Sequence, residues 1–277
     1  MTTARIDARF AELKAQGRAA FVTYTMAGDP DLATSLKILK ALPAAGADVI
    51  ELGFPFSDPI GEGPTIQRAA QRSLANGTRL DDVLNVAREF RKDDQTTPLI
   101  LMGYLNVVTN RGEAAFARAI ADAGVDGVII VDCPPEEAGP LADALDAAQI
   151  SLLNLFTPTS DDQRVKTIAE RTSGFAYYVS VAGVTGVKEA DEQAVAPAVE
   201  RVRAASGLPV CVGFGIKTPE RAAAIARIAD GAVVGSALVE EIENGAARNE
   251  DVTARVLSKV EALAKAVRGA RIAQPAA

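Results

Sequence analysis

Two kinds of hydrophobic pattern alternate along this chain. Short runs of β-branched and other apolar residues are separated by longer, alanine-rich stretches in which apolar residues recur every three or four positions. The short runs are typical of buried strands, and the longer stretches are typical of amphipathic helices. The eight predicted strands span residues 19–27, 48–53, 98–104, 127–132, 150–156, 174–180, 208–214 and 231–236. The clearest predicted helices span residues 31–46, 113–124, 136–148, 161–172 and 218–230.

Strand and helix alternate throughout, which predicts a (β/α)₈ TIM barrel. A doubly wound sheet more often uses five or six strands, so eight strands favour the barrel. No linker rich in Pro, Gly or Ser divides the chain. We therefore expect one catalytic domain over residues 1–267, followed by a disordered tail at 268–277.

Composition excludes several classes of function. A net charge of −7, with a pI near 4.9 and no run of Lys or Arg, gives no basic surface for nucleic acid. No apolar stretch approaches the roughly 20 residues of a membrane span, and the first residues are polar, so we expect a cytoplasmic protein. Cys133 and Cys211 have no histidine to complete a metal set, and we expect both to be core residues rather than ligands.

The segment 48–67, DVIELGFPFSDPIGEGPTIQ, carries the strongest chemical signal. It places Glu51 inside an apolar strand, on the same face as Val49 and Gly53, so its side chain should point into a packed interior. Burial of an unpaired carboxylate is unfavourable, so such a group is either well partnered or chemically useful. Because the chain has no histidine, a carboxylate is the natural substitute as a near-neutral proton carrier.

In a TIM barrel the active site is built at the C-terminal ends of the strands. The strand that holds Glu51 is followed by a loop with Asp58 and Glu62, and the fourth strand ends at Asp132. Glycine-rich loops follow the last two strands, and a helix is expected to start near Ser236. These loops predict a phosphate site built from backbone N–H groups.

Missing residue types narrow the possible reactions. A Schiff-base aldolase needs a lysine at a strand end, and Lys217, in a loop, comes nearest to that position. Metal aldolases and serine or cysteine hydrolases usually need histidine, which is absent. Carboxylate acid–base catalysis remains, and any carbon–carbon cleavage must then use an electron sink in the substrate itself. An indole ring, protonated at C3, could provide one.

Several segments between about residues 6 and 265 carry a resemblance to one family, and ELGFPFSDP followed by GPTIQ, and later AGVTG, are specific to it. They read FVTYTMAGDPD, ELGFPFSDPIGEGPTIQ, LMGYLN, YYVSVAGVTG, GFGIKTP and GSALVE. In these segments the chain resembles the tryptophan synthase α subunit family. The resemblance implies retro-aldol cleavage of indole-3-glycerol phosphate to indole and glyceraldehyde 3-phosphate, with no cofactor in this chain. It also implies an α₂β₂ complex, in which a β subunit dependent on pyridoxal phosphate (PLP) receives the indole.

The resemblance assigns roles to three carboxylates. Glu51 would protonate indole C3 and assist proton removal from the glycerol hydroxyl. Glu62 stands where the family has an aspartate that accepts the indole N–H proton, and its extra methylene adds roughly 1.5 Å of reach. Asp58 is expected to shape the loop and contact the partner. If Glu62 has lost its role, or passed it to Asp58, the chain would be a slow enzyme that mainly activates its partner.

The remaining site residues follow from the same resemblance. Thr185 would close the mobile loop over the substrate, with Tyr177 in support. Tyr104 and Asn106 would contact the partner. The expected phosphate contacts are Gly186, Gly215, Gly235 and Ser236. The expected indole pocket is Tyr24, Met102, Ile129, Leu155, Tyr177, Phe214 and Val233.

Three other functions stay open from the sequence. One is a weakly catalytic regulatory subunit that activates the β subunit, and another is a stand-alone lyase that releases free indole. A more distant alternative is another phosphate-binding barrel, such as an isomerase or epimerase. Those enzymes typically use a histidine, a lysine or a metal, which this sequence does not readily supply.

Overall fold

The chain folds into parallel strands that alternate with helices. The computed structural model describes residues 4–180, 192–213 and 215–271. The strands are β1 Ala20–Met26, β2 Val49–Gly53, β3 Leu99–Gly103, β4 Gly127–Ile130, β5 Ser151–Leu152, β6 Leu155–Phe156, β7 Ala176–Val179, β8 Val210–Gly213 and β9 Gly231–Val234. The helices are α1 Ala4–Ala15, α2 Leu32–Ala45, α3 Pro64–Ala75, α4 Leu80–Asp93, α5 Leu105–Arg111, α6 Glu113–Asp122, α7 Gly139–Ala147, α8 Asp162–Glu170, α9 Glu192–Ser206, α10 Pro219–Ile228, α11 Ser236–Ala247 and α12 Val252–Gly269.

The sheet closes on itself through the two shortest strands. The strand order runs β5-β4-β3-β2-β1-β9-β8-β7-β6, so β5 and β6, which follow one another in the chain, lie at its two ends. The Leu153 N–H donates to the Val128 carbonyl at 3.0 Å, and the Tyr177 N–H donates to the Asn154 carbonyl at 3.3 Å. One strand therefore joins both edges, and the predicted TIM barrel is confirmed.

The predicted strand 150–156 is the one that differs from expectation, because it forms two short pieces. Between them, the Asn154 side-chain amide donates to the Arg171 carbonyl at 2.9 Å and to the Thr172 hydroxyl at 3.2 Å. The first piece pairs with β4 and the second pairs with β7. The chain shifts from one neighbouring strand to the other at this point.

Alternate residues of each strand enter two separate cores. One core fills the barrel and contains Val49, Ile100 and Cys211, whereas the other lies between strands and helices and contains Ile50 and Leu101. This division follows the two-residue period of a strand. Helix α1 contributes to the inner core, and its Phe10 ring lies 5.5 Å from that of Phe175, so the helix closes the N-terminal end of the barrel.

Buried aspartates tie neighbouring strands together at the same N-terminal end. Asp48, directly before β2, accepts the Phe21 N–H at 2.9 Å and two Arg18 N–H groups at 2.8 Å. Asp126, directly before β4, accepts the Leu99 N–H at 2.8 Å. Each carboxylate thus satisfies a backbone donor of the adjacent strand.

Arginines also pair with Asp126 and with a third aspartate of this end, Asp230. Asp126 accepts hydrogen bonds from Arg91 at 2.6 Å and from Arg5 at 2.8 Å. Asp230, directly before β9, accepts the Val210 N–H at 2.9 Å and an Arg203 N–H at 2.8 Å. Charge-assisted bonds of this kind are about twice as strong as neutral ones. The pattern is repeated three times around the barrel.

At the opposite end, Arg72 holds α3 against α11. It binds Asp29 through two N–H groups at 2.7 and 2.9 Å and Glu243 at 3.0 Å. The helix that follows the Glu62 loop is thereby fixed relative to the helix that begins at Ser236.

Helix α12 continues to Gly269, two residues past the predicted domain boundary, and the Arg271 side chain donates to the Ala226 and Ala229 carbonyls. The tail 272–277 lies outside the described residues.

Among the described residues, no helix has the length and apolar character that crossing a bilayer would require.

Candidate active site

A cavity opens at the C-terminal ends of the strands. Its walls come from β1, β2, β3, β7 and β9, from α3, and from the loops after β2, β8 and β9. The lining residues are Tyr24, Glu51, Glu62, Ile66, Met102, Tyr177, Gly215, Ile216, Lys217, Val233, Gly235 and Ser236. Two carboxylates, two phenols and one ammonium thus face a largely apolar interior.

Glu51 lies at the floor of this cavity. It is fully buried, and neither carboxylate oxygen has a hydrogen-bond partner among the described residues. Burial, assisted by the negative charge of Glu62, raises the pKa of Glu51 to about 8. At neutral pH the group is therefore mostly protonated, and it can give a proton to a bound substrate.

Glu62 reaches the same cavity from the loop after β2. Its side chain is buried, and desolvation raises its pKa to about 7. Its backbone N–H donates to the Pro59 carbonyl at 3.0 Å, and the Gln67 side chain donates to the Glu62 carbonyl at 2.9 Å. The extra methylene relative to aspartate is accommodated, because the carboxylate still lines the cavity.

Tyr104 holds this loop in place. Its hydroxyl accepts the Gly61 N–H at 3.0 Å, and its ring stacks on Phe56 with the centroids 5.2 Å apart. The ring is buried, whereas Asn106, the other residue expected to contact a partner, is exposed. In this chain the Tyr104 side chain therefore supports the position of Glu62.

Two tyrosines flank the buried glutamate, and each lies across a glycine of the next strand. A methyl group added at Gly53 would lie 2.3 Å from the Tyr24 hydroxyl, and one at Gly213 would lie 2.4 Å from the Tyr177 hydroxyl. The tyrosines can occupy these positions only because the glycines lack a side chain. Burial and the charges of both glutamates raise the pKa of Tyr24 and of Tyr177, so both phenols stay neutral donors.

Glycines and the start of a helix form another part of the cavity wall. Gly215 has φ +73°, a conformation that favours glycine. Helix α11 begins at Ser236, and no side chain caps it at Gly235. The N-terminal end of a helix attracts anions through its free N–H groups and its dipole.

The cavity brings together nine of the residues singled out from the sequence. They are Tyr24, Glu51, Glu62, Met102, Tyr177, Gly215, Val233, Gly235 and Ser236. Ile129 does not line it and lies within the inner core. Leu155 faces a neighbouring cavity beside Cys133, and Asp58 is exposed on the loop. Thr185, Gly186 and Phe214 lie outside the described residues.

Three lining residues were not assigned to the site from the sequence. Ile66 begins the buried face of α3, and its helical spacing with Ala69 and Ala70 was the available signal. Ile216 and Lys217 follow the glycine of the loop after β8. The Lys217 ammonium binds Glu240 at 2.8 Å, and an ion-paired, half-exposed ammonium is poorly suited to Schiff-base formation.

Metal ligation has no evident place in the described part of the chain. Over residues 4–180, 192–213 and 215–271, no group of three or more His, Cys, Asp or Glu side chains could hold a metal ion. Cys211 is a buried free thiol of the inner core, and Cys133 is a half-buried free thiol.

Related sequences and structures share this architecture. A family described as "Tryptophan synthase alpha chain" matches residues 10–268. The tryptophan synthase alpha chain of Phenylobacterium zucineum is 72% identical over 271 residues, covering 98% of each chain. That of Caulobacter vibrioides is 66% identical over 272 residues, covering 98% of this chain and 99% of the relative.

Solved structures agree with the sequence relatives. The crystal structure of tryptophan synthase subunit alpha from Legionella pneumophila superposes with a TM-score of 0.89 at 40% identity, covering 96% of this chain and 98% of that one. A structure of Mycobacterium tuberculosis tryptophan synthase gives 0.88 at 36% identity, covering 96% and 99%. The chain therefore belongs to the tryptophan synthase alpha chain family.

Proposed function

We propose that this chain is the lyase subunit of tryptophan synthase and cleaves indole-3-glycerol phosphate into indole and glyceraldehyde 3-phosphate. The observation that carries the proposal is the pair of buried carboxylates, Glu51 and Glu62, in one cavity beside an uncapped helix N-terminus. Residues 1–267 would form the single catalytic domain.

Glu51 is the proposed general acid. Its carboxyl is held protonated near neutral pH by burial, and it faces the cavity without competing partners among the described residues. A general acid works best when its pKa lies near the working pH. Proton transfer from Glu51 to indole C3 converts the ring into an indolenium, which can accept the electrons of the bond to be broken.

Glu62 is the proposed partner of the indole N–H. As a carboxylate it would accept that hydrogen bond and stabilise the positive charge that develops on the ring nitrogen. Its charge also favours the protonated form of Glu51. Two neighbouring carboxyl groups with different preferred protonation states supply both an acid and a base.

The bond-breaking step then balances without a cofactor in this chain. The glycerol hydroxyl next to the ring loses its proton to the Glu51 carboxylate, and its oxygen forms the aldehyde of glyceraldehyde 3-phosphate. The carbon–carbon bond breaks, and its electron pair returns to the ring and neutralises the nitrogen. The proton delivered to C3 stays on the released indole, and Glu51 is again protonated.

The rest of the cavity suits the two ends of this substrate. Tyr24, Met102, Tyr177 and Val233 offer an apolar wall for indole, and Phe214, Ile129 and Leu155 stay candidates for its surroundings. The backbone of Gly215 and Gly235 and the hydroxyl of Ser236 would bind phosphate, with Gly186 as a further contact. Thr185 would close the loop over the bound substrate.

The partner would be a β subunit in an α₂β₂ complex, which carries the PLP. The Legionella neighbour is described as a subunit, which supports an assembly of this kind. The loop between β2 and α3 exposes Ile60 to 78% and also presents Asp58, so it would supply part of the contact surface. The same loop carries Glu62, and partner binding could therefore act on the site directly.

The test is release of indole and glyceraldehyde 3-phosphate from indole-3-glycerol phosphate, with and without the cognate β subunit. Glu51→Gln should lower turnover about a thousandfold, whereas Glu261→Gln, at an exposed position of α12, should not change it. Slow turnover that the partner strongly raises supports the proposal. No turnover with the partner would indicate a regulatory subunit, and equally fast turnover without it would indicate a stand-alone lyase.

A further inference from the structure

Lys217 is the one cationic side chain that lines the cavity among the residues described by the structure. It lies in the loop between β8 and α10, two residues after Gly215. Its ammonium is 2.8 Å from the Glu240 carboxylate, with the two side chains 42% and 35% exposed. The cavity thus contains one positive charge that is already paired.

The pair lies close to the proposed phosphate position. Glu240 follows Ser236 by four residues on α11, so it lies on the same side of the helix, one turn further along. One turn is about 5.4 Å, a distance that the flexible four-carbon stem of a lysine can span by changing rotamers. The ammonium could therefore reach either Glu240 or an anion at the helix N-terminus.

Charge balance favours such a movement when a phosphate enters. The Glu62 carboxylate lines the same cavity, and a phosphate monoester adds close to two further negative charges. A half-exposed Lys–Glu pair contributes little to stability, because water competes for both groups. Breaking it to neutralise a dianion at the helix N-terminus is therefore favourable.

We propose that Lys217 exchanges its salt bridge with Glu240 for the phosphate group of the substrate. Glu240 then competes with the substrate for this ammonium and lowers the affinity of the empty site for anions. The proposal rests on the proposed function for the identity of the phosphate ester, but anion exchange itself can be measured separately.

The first test removes the ammonium. Lys217→Gln should weaken binding of inorganic phosphate and of glycerol 3-phosphate about tenfold in calorimetry at fixed ionic strength. In turnover of indole-3-glycerol phosphate it should raise KM more than it lowers kcat, because a ground-state contact is lost. Lys265→Gln, which removes an exposed lysine of α12, is the matched control and should change neither quantity.

The second test removes the competitor and should act in the opposite direction. Glu240→Gln should tighten phosphate binding about threefold to fivefold, because the ammonium is free and a negative charge is gone. In the Lys217→Gln background the same change should have a much smaller effect, since competition for the ammonium has ended.

Each contrary result is decisive. If Lys217→Gln leaves phosphate affinity unchanged, or if Glu240→Gln weakens it, the two residues form only a surface pair and the exchange is wrong. If the full chain binds neither phosphate probe, the exchange is also wrong. Tighter binding in Glu240→Gln without any lyase turnover would uphold the exchange and reject the proposed function instead.

Discussion

Asp48, directly before β2, and Glu51, in the middle of β2, are two buried carboxylates in opposite states. Asp48, at the N-terminal end, has its oxygens occupied by Arg18 and by the Phe21 N–H. Glu51, three residues further on, has no hydrogen-bond partner in the described part of the chain. The first is a paired charge that joins strands, and the second is a neutral acid that faces a cavity.

This difference separates stability from chemistry within one barrel. The N-terminal end uses ion pairs at Asp48, Asp126 and Asp230, and breaking the pair at Asp48 or Asp126 would leave a buried charge uncompensated. At the C-terminal end, the Glu51 carboxyl is buried without a hydrogen-bond partner among the described residues, which is unfavourable for folding. Because the raised pKa of Glu51 makes the folded state hold its proton, this loss of stability develops as pH rises from about 4.5 towards 8.

The largest effect on turnover is expected from Glu51→Gln, which removes the unpaired carboxyl of β2. Turnover of indole-3-glycerol phosphate should fall by about a thousandfold, because the general acid is removed. The free energy of unfolding at pH 7 should rise by roughly 3 kcal/mol, because an amide has no proton that the unfolded chain can release. Product release and urea unfolding measure the two effects, with Glu261→Gln as the control. A less stable variant would contradict the proposed origin of the raised pKa.

At the opposite end, Asp126→Asn should act on stability. The change leaves Arg91 with a poorer partner in a buried site and should lower the free energy of unfolding by about 3 kcal/mol. Turnover per folded molecule should change little, since Asp126 lies at the other end of the barrel. Urea unfolding against the exposed control Asp122→Asn measures this. A loss of activity without a loss of stability would break the division between the two ends.

Glu62→Asp tests the length of the second carboxylate. Shortening the side chain withdraws its oxygens by roughly 1.5 Å, and we expect kcat to fall about tenfold with little change in stability. Steady-state kinetics with the β subunit present measures the change. A strong increase in turnover would instead mean that glutamate weakens this site, as expected for a regulatory subunit.

The smallest expected effect is the pH dependence of kcat/KM. Activity requires ionised Glu62, gained as pH rises through about 7, and protonated Glu51, lost as pH rises through about 8. The profile should be bell-shaped, with its maximum between these values. Glu62→Gln should remove the rising limb in whatever activity remains. An unchanged profile in that variant would reject the assignment of Glu62 as the base.

Apolar patterning was sufficient to predict the barrel and the interior position of Glu51. Strands buried on both faces read as continuous apolar runs, and a carboxylate inside one of them is conspicuous. The lining positions at strand ends followed from the fold, because that end of a TIM barrel holds the active site. The roles of these residues remain predictions.

Contacts between distant residues could not be predicted in the same way. Lys217 and Glu240 are 23 residues apart, and Arg91 and Asp126 are 35 apart, so neither pair leaves a local pattern. The break at Asn154 depends on the Arg171 carbonyl, which comes from a different part of the chain. Such features depend on the three-dimensional arrangement of loops, which hydrophobic periodicity does not describe.

The short strands β5 and β6 form a seam where the barrel closes. Each contributes only two residues to its ladder, whereas β1 contributes seven. Proteins open locally where few backbone hydrogen bonds and contacts must break. We therefore expect amide hydrogen exchange to be faster at Leu153 and Tyr177 than in β1 and β2. The barrel would then open along this seam while the strands that carry Tyr24 and Glu51 remain closed.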